Sequence, residues 1–224
     1  MTFSLVGRCA RTGMFGAVVT SSSPAVAARC AWARAGVGAA CTQNVTDPTL
    51  GDALLDRLEA GRTAAQAIAE VVATASYADH RQLTVVDATG GCDTYSGART
   101  LGRHRTATAP DCAAAGNLLA DDAVPQAMVE AFGAKPDDHL GDRLLAALVA
   151  GLEAGGEEGP VHSCGLTVVD EVAWPVTDLR VDWHDDPIAE LLRIWETWKP
   201  QADDYVTRAL DPTTAPSYGV PGDD

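Results

Sequence analysis

Apolar positions along this 224-residue chain switch between two periods, and the order of the switches predicts the architecture. Residues 2–7 (TFSLVG) and 14–21 (MFGAVVTS) are short apolar runs flanking RCARTG, a turn closed by Gly13, and they predict a β-hairpin. The segment 35–45 (AGVGAACTQNV) is apolar and rich in glycine and alanine, which predicts a buried strand with closely approaching backbones. The period then lengthens. Leu50, Leu54, Leu55 and Leu58 recur at helical spacing behind Asp47 as N-cap and Pro48 at the first helical position, and Gly61 stops the run. Thr63 caps a second helix whose buried stripe is Ala67, Ile68, Val71 and Val72, so the two form a helical hairpin.

Strands return in RQLTVVDATG (81–90), CDTYSGA, RHRTATA and CAAAGNLLA. Two helices follow: VPQAMVEAFGA, then DHLGDRLLAALVAGLEAGG with Leu140, Leu144, Leu145, Leu148 and Leu152. CGLTVVD and WPVTDLRVD supply further strands. Asp186-Pro187 then caps a last helix with Ile188, Leu191, Leu192, Trp195 and Trp198 on one face. Grouped hairpins imply antiparallel pairing, and paired helices imply layers on sheet faces. The fold class expected is α+β, a four-layer αββα sandwich with two stacked, mainly antiparallel sheets between helical layers. One domain is expected over residues 1–202, followed by an extended C-terminal tail over 203–224. Tyr205, Val206, Leu210, Tyr218 and Val220 are apolar anchors, so the tail is expected to be ordered, either near the Thr2 pocket or across a homodimer interface.

Composition narrows the partners. Sixteen Lys and Arg against 31 Asp and Glu give a net charge of −15, which disfavours nucleic acid and anionic membrane. No apolar run approaches a membrane span. The start has no basic segment leading into an apolar one, so a cytoplasmic location is expected. Cys9, Cys30, Cys41, Cys92, Cys112 and Cys164 are scattered and read as buried reduced thiols; they do not cluster with the five histidines, and no metal or other cofactor is expected.

Thr2 is the residue that could carry chemistry. Once Met1 is removed, the α-amine of Thr2 can take the proton of its own hydroxyl, so nucleophile and base share one residue. An α-amine titrates near pH 7.7–8.0 in reference peptides, which leaves a free-base fraction at about neutral pH. A threonine in a first strand is equally an ordinary β residue. Ser21, Ser22 and Ser23 sit at the neighbouring strand end, as pocket residues or as a solvated turn. Gln43 and Asn44 could bind a polar amide, whereas Asp47 is better read as a helix cap. Asn117 is a core amide or a pocket residue. In EEGPVHSCG, His162 and Ser163 point to opposite faces and cannot form a nucleophile–base pair, though Glu157, Glu158, His162 and Ser163 remain individual pocket candidates. Asp178, Arg180 and Asp182 share a strand face with His184 nearby, and read as a salt-bridged edge before a divalent-metal site.

The segments MTFSLVGR, GAVVTSSSPAV, WARAGVGAACTQNVTDPTLG, HRQLTVVDATG, SGARTLG, AAGNLLA and DLRVDWHDDPIAEL resemble, in order and over nearly the whole chain, the family known as domain of unknown function 1028. That family is grouped with the N-terminal-nucleophile hydrolases. The resemblance implies the αββα sandwich and hydrolysis of an amide-type bond by Thr2. It also exposes a departure: many relatives read ASKF where this chain reads TSSSP, which puts Ser22 at the lysine position. Lys135 and Lys199 are remote in sequence, and Arg29 or Arg34 could supply charge but no titratable proton at neutral pH. The expected function is therefore hydrolysis of a small amide, ureide or related C–N bond in a small-molecule substrate by a homodimer. The alternative is a catalytically silent binding or scaffold protein of the same fold, and a weaker third is a metal-dependent hydrolase using the segment from Asp178 to His184.

Overall fold

The computed structural model describes residues 1–221. Its first half runs β1 (Thr2–Arg8), β2 (Phe15–Ser21), α1 (Ala27–Cys30), β3 (Ala31–Arg34), β4 (Gly38–Asn44), α2 (Thr49–Glu59), α3 (Ala64–Thr74), β5 (Arg81–Asp87) and β6 (Cys92–Ser96). The second half runs β7 (Arg105–Ala109), β8 (Cys112–Asn117), α4 (Val124–Ala134), α5 (Leu140–Glu153), β9 (Ser163–Val169), β10 (Thr177–Val181), α6 (Pro187–Trp198) and α7 (Ala202–Leu210). Six strands form one sheet in the order β10-β9-β2-β1-β8-β7, and four form the other in the order β3-β4-β5-β6. Every strand pairing described is antiparallel. The expected αββα sandwich is the architecture the chain adopts.

Strand alternation builds the layers. Phe3, Leu5 and Val18 point to α4 and α5 and join Met128, Phe132, Leu144 and Leu148 in one core. Val6, Phe15, Ala17, Ala39, Cys41 and Val86 fill the space between the sheets. Leu54, Leu55, Leu58, Ile68 and Val71 close the far side over Leu83 and Val85. The glycine pair Gly7 and Gly16, opposite each other on β1 and β2, lets the helical layer sit close. A Cβ on Gly7 would stand 2.5 Å from the Phe132 ring, and one on Gly16 would stand 2.7 Å from Leu144. The two helices of the hairpin start as their caps require: Asp47 Oδ1 accepts from the Thr49 N–H at 3.1 Å, and Thr63 and Gln66 form a reciprocal capping box.

Three elements differ from expectation. The helix α1 is a single turn and β3 a half-buried edge of four residues, both too short to impose a period on AVAARCAWAR. Helix α7 forms where no periodicity was read. It carries Asp203 and Asp204 in its first turn and Arg208 in its last, which suit the helix dipole, and it buries no residue fully. Its Tyr205 stacks on Trp198 at 4.9 Å between ring centroids, and Arg208 lies 4.0 Å from the Tyr218 ring, so the tail folds back on its own helix. Ala202, Val206 and Leu210 line a cavity of about 260 Å³ with Met14, Asp170 and Thr177. That cavity lies beyond the end of the large sheet opposite Thr2, so α7 does not lie over Thr2. The last three residues of the tail lie outside the described residues. No helix among the described residues is long and apolar enough to cross a membrane.

Candidate active site

Register places four polar side chains in a row at one end of the large sheet. Thr2 on β1 is opposite Asn117 on β8. On its other side the β1–β2 register brings up Ser21, with Thr2 Oγ1 3.4 Å from Ser21 Oγ. Ser21 is in turn opposite Ser163 on β9. Neighbouring strands run about 4.8 Å apart, so the row crosses four strands at the sheet's rim. Alternation turns all four side chains to the space between the sheets, on the same face as Ser4 and Val6.

The hydroxyls of Thr2 and Ser21 both donate to the carbonyl oxygen of Met1. Ser21 Oγ also accepts from the Ser23 N–H at 3.0 Å. Ser163 Oγ donates to the Ser23 carbonyl at 2.6 Å and accepts from the Val26 N–H at 3.1 Å, so the TSSSP turn is bolted to β9. Thr2 is only 5% exposed.

Below the row lies a buried amide network. Ser4 Oγ donates to Gln43 Oε1 at 2.6 Å, Gln43 Nε2 to Gln82 Oε1 at 2.8 Å, and Asn117 Nδ2 to the same Gln82 oxygen at 3.1 Å. Gln43 therefore links the two sheets beneath the site. Asn117 Oδ1 has no hydrogen-bond partner among the described residues. Asn44 ends β4 at the same end of the sandwich with a left-handed φ of 75°. Its Nδ2 donates to the His80 carbonyl at 2.7 Å and its Oδ1 accepts from the Leu101 N–H at 3.2 Å, which engages both ends of its amide.

Glu157 stands in the EEGPVHSCG segment named among the pocket candidates, but sequence reasoning assigned it no partner and no role. Its Oε2 accepts from the Ser22 N–H at 3.3 Å, across 135 residues of chain. An isolated bridge to Leu119 fixes its backbone, and the side chain is buried with Oε1 unpaired among the described residues. Burial pushes its carboxyl up to about 7, while the positive charge of the chain's N-terminus and the Ser22 bonds pull the other way. The only signal in sequence was an acidic pair beside a glycine before a polar strand start; the contact with Ser22 exists only in the fold.

The remaining candidates lie apart from Thr2 or are engaged elsewhere. Arg29 Nη1 donates to the Pro24 and Ala25 carbonyls, and Arg34 pairs with Asp56 and Glu59 of α2. Lys199 pairs with Asp142 at 2.7 Å, and Lys135 ends α4. Arg180 holds Asp178 through two hydrogen bonds of 2.8 Å, the salt-bridged edge expected there. No group of three or more His, Cys, Asp or Glu among the described residues could hold a metal ion. His162 donates its N–H to the Ser21 carbonyl at 2.8 Å, and its ring stacks on Trp183 at 4.4 Å.

The architecture and the polar row at a first-strand tip define an αββα sandwich protein with a candidate nucleophile beside its N-terminus. The chain belongs to the family of unknown function DUF1028, whose model matches residues 2–191. The DUF1028 protein SPO2555 from Silicibacter pomeroyi has a solved structure that is 28% identical, with a TM-score of 0.83 over 91% of this chain and 89% of that one. Anbu from Hyphomicrobium sp. strain MC1 is 12% identical with a TM-score of 0.39, covering 91% of this chain and 98% of that one. Anbu (ancestral beta-subunit) from Yersinia bercovieri is 11% identical with a TM-score of 0.37, covering 92% and 97%. No curated protein matches.

Proposed function

We propose that this protein is an N-terminal-nucleophile hydrolase that cleaves a small amide, ureide or related C–N bond in a small-molecule substrate, with Thr2 as nucleophile and base. One observation carries the reading: two hydroxyls, Thr2 and Ser21, converge on a single acyl oxygen, that of Met1. With Met1 removed, the free amine of Thr2 takes the hydroxyl proton as Oγ1 attacks the substrate's acyl carbon. Ser21 Oγ–H donates to the oxygen on which negative charge develops. The C–N bond then breaks, and the leaving nitrogen takes the proton held by the Thr2 amine. Water hydrolyses the resulting ester, giving its proton to the same amine, and Thr2 is restored. The step uses no cofactor. Ser22 and Ser23 line the mouth, Asn117 stands in the row beside Thr2, Gln43 supports the row from below, and Asn44 shapes the adjoining turn.

The test is the N-terminus and its threonine. Intact mass of the purified protein is expected to be short by one methionine, and Thr2→Ala is expected to lower turnover of a responsive amide by at least about a thousandfold. Full activity in Thr2→Ala, or in protein that keeps Met1, removes the mechanism. A second reading, a binding protein of the same fold without turnover, is favoured by the neutral Ser22 at the lysine position; retained Met1 with no amidase activity is its signature. We further propose a homodimer located in the cytoplasm; light scattering measures the oligomeric state, and fractionation of cells the location.

A further inference from the structure

Met1 is itself an aminoacyl group held at the site. Its carbonyl oxygen receives both hydroxyls, and its side chain reaches Gly159, with Cε 3.8 Å from where a Cβ on that glycine would stand. Its α-ammonium lies close enough for its charge to act on Glu157. The nitrogen and Oγ1 of one threonine are joined through Cα and Cβ, so an acyl carbon on either atom occupies nearly the same place. Met1 on the Thr2 nitrogen thus stands in for the acyl group that a substrate would leave on Oγ1.

We propose that the acyl pocket recognises an α-aminoacyl group, with Glu157 as the counter-charge to the substrate's free α-ammonium, so that the substrate class is amino-acid amides and short peptides with an unblocked amine. This rests on the hydrolase reading for its chemistry but not for its binding. Glu157 is 6% exposed and spends one oxygen on the Ser22 N–H, leaving Oε1 unpaired among the described residues. A buried carboxylate oxygen without a donor costs free energy that an ammonium group would offset. Gly159, lacking a side chain, leaves room for that of the amino acid. The net charge of −15 draws cations toward the mouth.

The test separates binding from turnover. Thr2→Ala protein, verified by mass to lack Met1, is titrated by calorimetry with methioninamide and with N-acetylmethioninamide. The free amine is expected to bind at least tenfold more tightly, and Glu157→Gln in the same background is expected to abolish the difference. Equal binding of the two amides, binding of neither, or a preference that survives Glu157→Gln overturns the proposal. Should Glu157→Gln fail to fold, the comparison of the two amides on the Glu157 protein still decides, and Glu157→Asp supplies the second variant. With Thr2 intact, an ammonium preference without turnover keeps this site and removes the hydrolase reading. Turnover of both amides at equal kcat/KM does the reverse.

Discussion

Asn117 stands directly opposite Thr2 in the β1–β8 pairing, and its Oδ1 is buried without a partner among the described residues while its Nδ2 is held by Gln82. Directly opposed residues carry Cβ atoms about 5 Å apart, which puts an acceptor within reach of the amine that loss of Met1 would free. Asn117→Ala is therefore expected to lower kcat about ten- to a hundredfold. It should leave stability within about 1 kcal/mol, since the lost hydrogen bond is offset by removing an unsatisfied acceptor, and Gln82 keeps its bond from Gln43. A chemical denaturation curve beside the kinetics checks both halves; unchanged kcat would remove Asn117 from the site.

Glu157 predicts how stability varies with pH. Burial raises its folded-state carboxyl to about 7 from an ordinary 4.5, so between those values the folded chain holds a proton that the unfolded chain has released. Stability is therefore lost as pH rises through that window, with the full cost present above about pH 7. The shift corresponds to roughly 3 kcal/mol. Glu157→Gln keeps an oxygen for the Ser22 N–H and removes the ionisation. Measured on the chain that retains Met1, the variant is expected to be more stable than the parent at pH 8 and equal to it at pH 4. Parallel stability curves at the two pH values would contradict this.

Asp87 predicts the opposite sign. Burial raises its carboxyl, but bonds from the Ala64 N–H, the Thr89 hydroxyl and the Thr89 and Gly91 N–H groups outweigh burial and hold it below its ordinary 3.8. This one carboxylate ties the start of α3 to the β5–β6 turn. Its stabilisation is fully present above about pH 4 and is lost as pH falls through the lowered folded value. Asp87→Asn is expected to cost roughly 2 kcal/mol at pH 7 and little at pH 2, read from urea midpoints at each pH. A cost that persists undiminished at pH 2 would point to packing, not charge.

The layers were legible because their signal is periodic. The runs at 2–7 and 14–21 and the leucine stripes of α2 and α5 each repeat often enough to declare a face. The row of the site was half legible. Thr2, Ser21 and Asn117 sit at strand ends where polar residues interrupt apolar runs, and alternation plus pairing brings them together. Glu157 was not, because its role depends on a contact made across 135 residues in a loop without period. Gln43 was legible as unusual, but its partners were not: Gln82 is set by the β4–β5 register, which places the two residues directly opposite, and Ser4 by the stacking of β4 against β1. Helix α7 was missed because no residue in it is fully buried, and a helix without a buried stripe leaves little pattern to read.

That helix supports the last prediction. Trp198 stacks on Tyr205 and donates its indole N–H to Thr177 Oγ1 at 3.0 Å, which couples α7 to the start of β10. Arg208 then clasps Tyr218 and donates to the Pro216 carbonyl at 3.0 Å. Truncation after Gln201 exposes the Trp198 ring and opens the cavity lined by Met14 and Asp170. Loss of one aromatic contact with its buried area costs about 2 kcal/mol, which in a domain of this size lowers the melting temperature by about 4–8 °C. The cavity lies at the far end of strands seven residues long, about 20 Å from Thr2 at the usual rise. Turnover at Thr2 below the melting range is therefore expected to be unchanged. A truncated protein with native stability would mean that the clasp contributes nothing, and one with native stability but altered turnover would require the tail to reach the other end of the sheet.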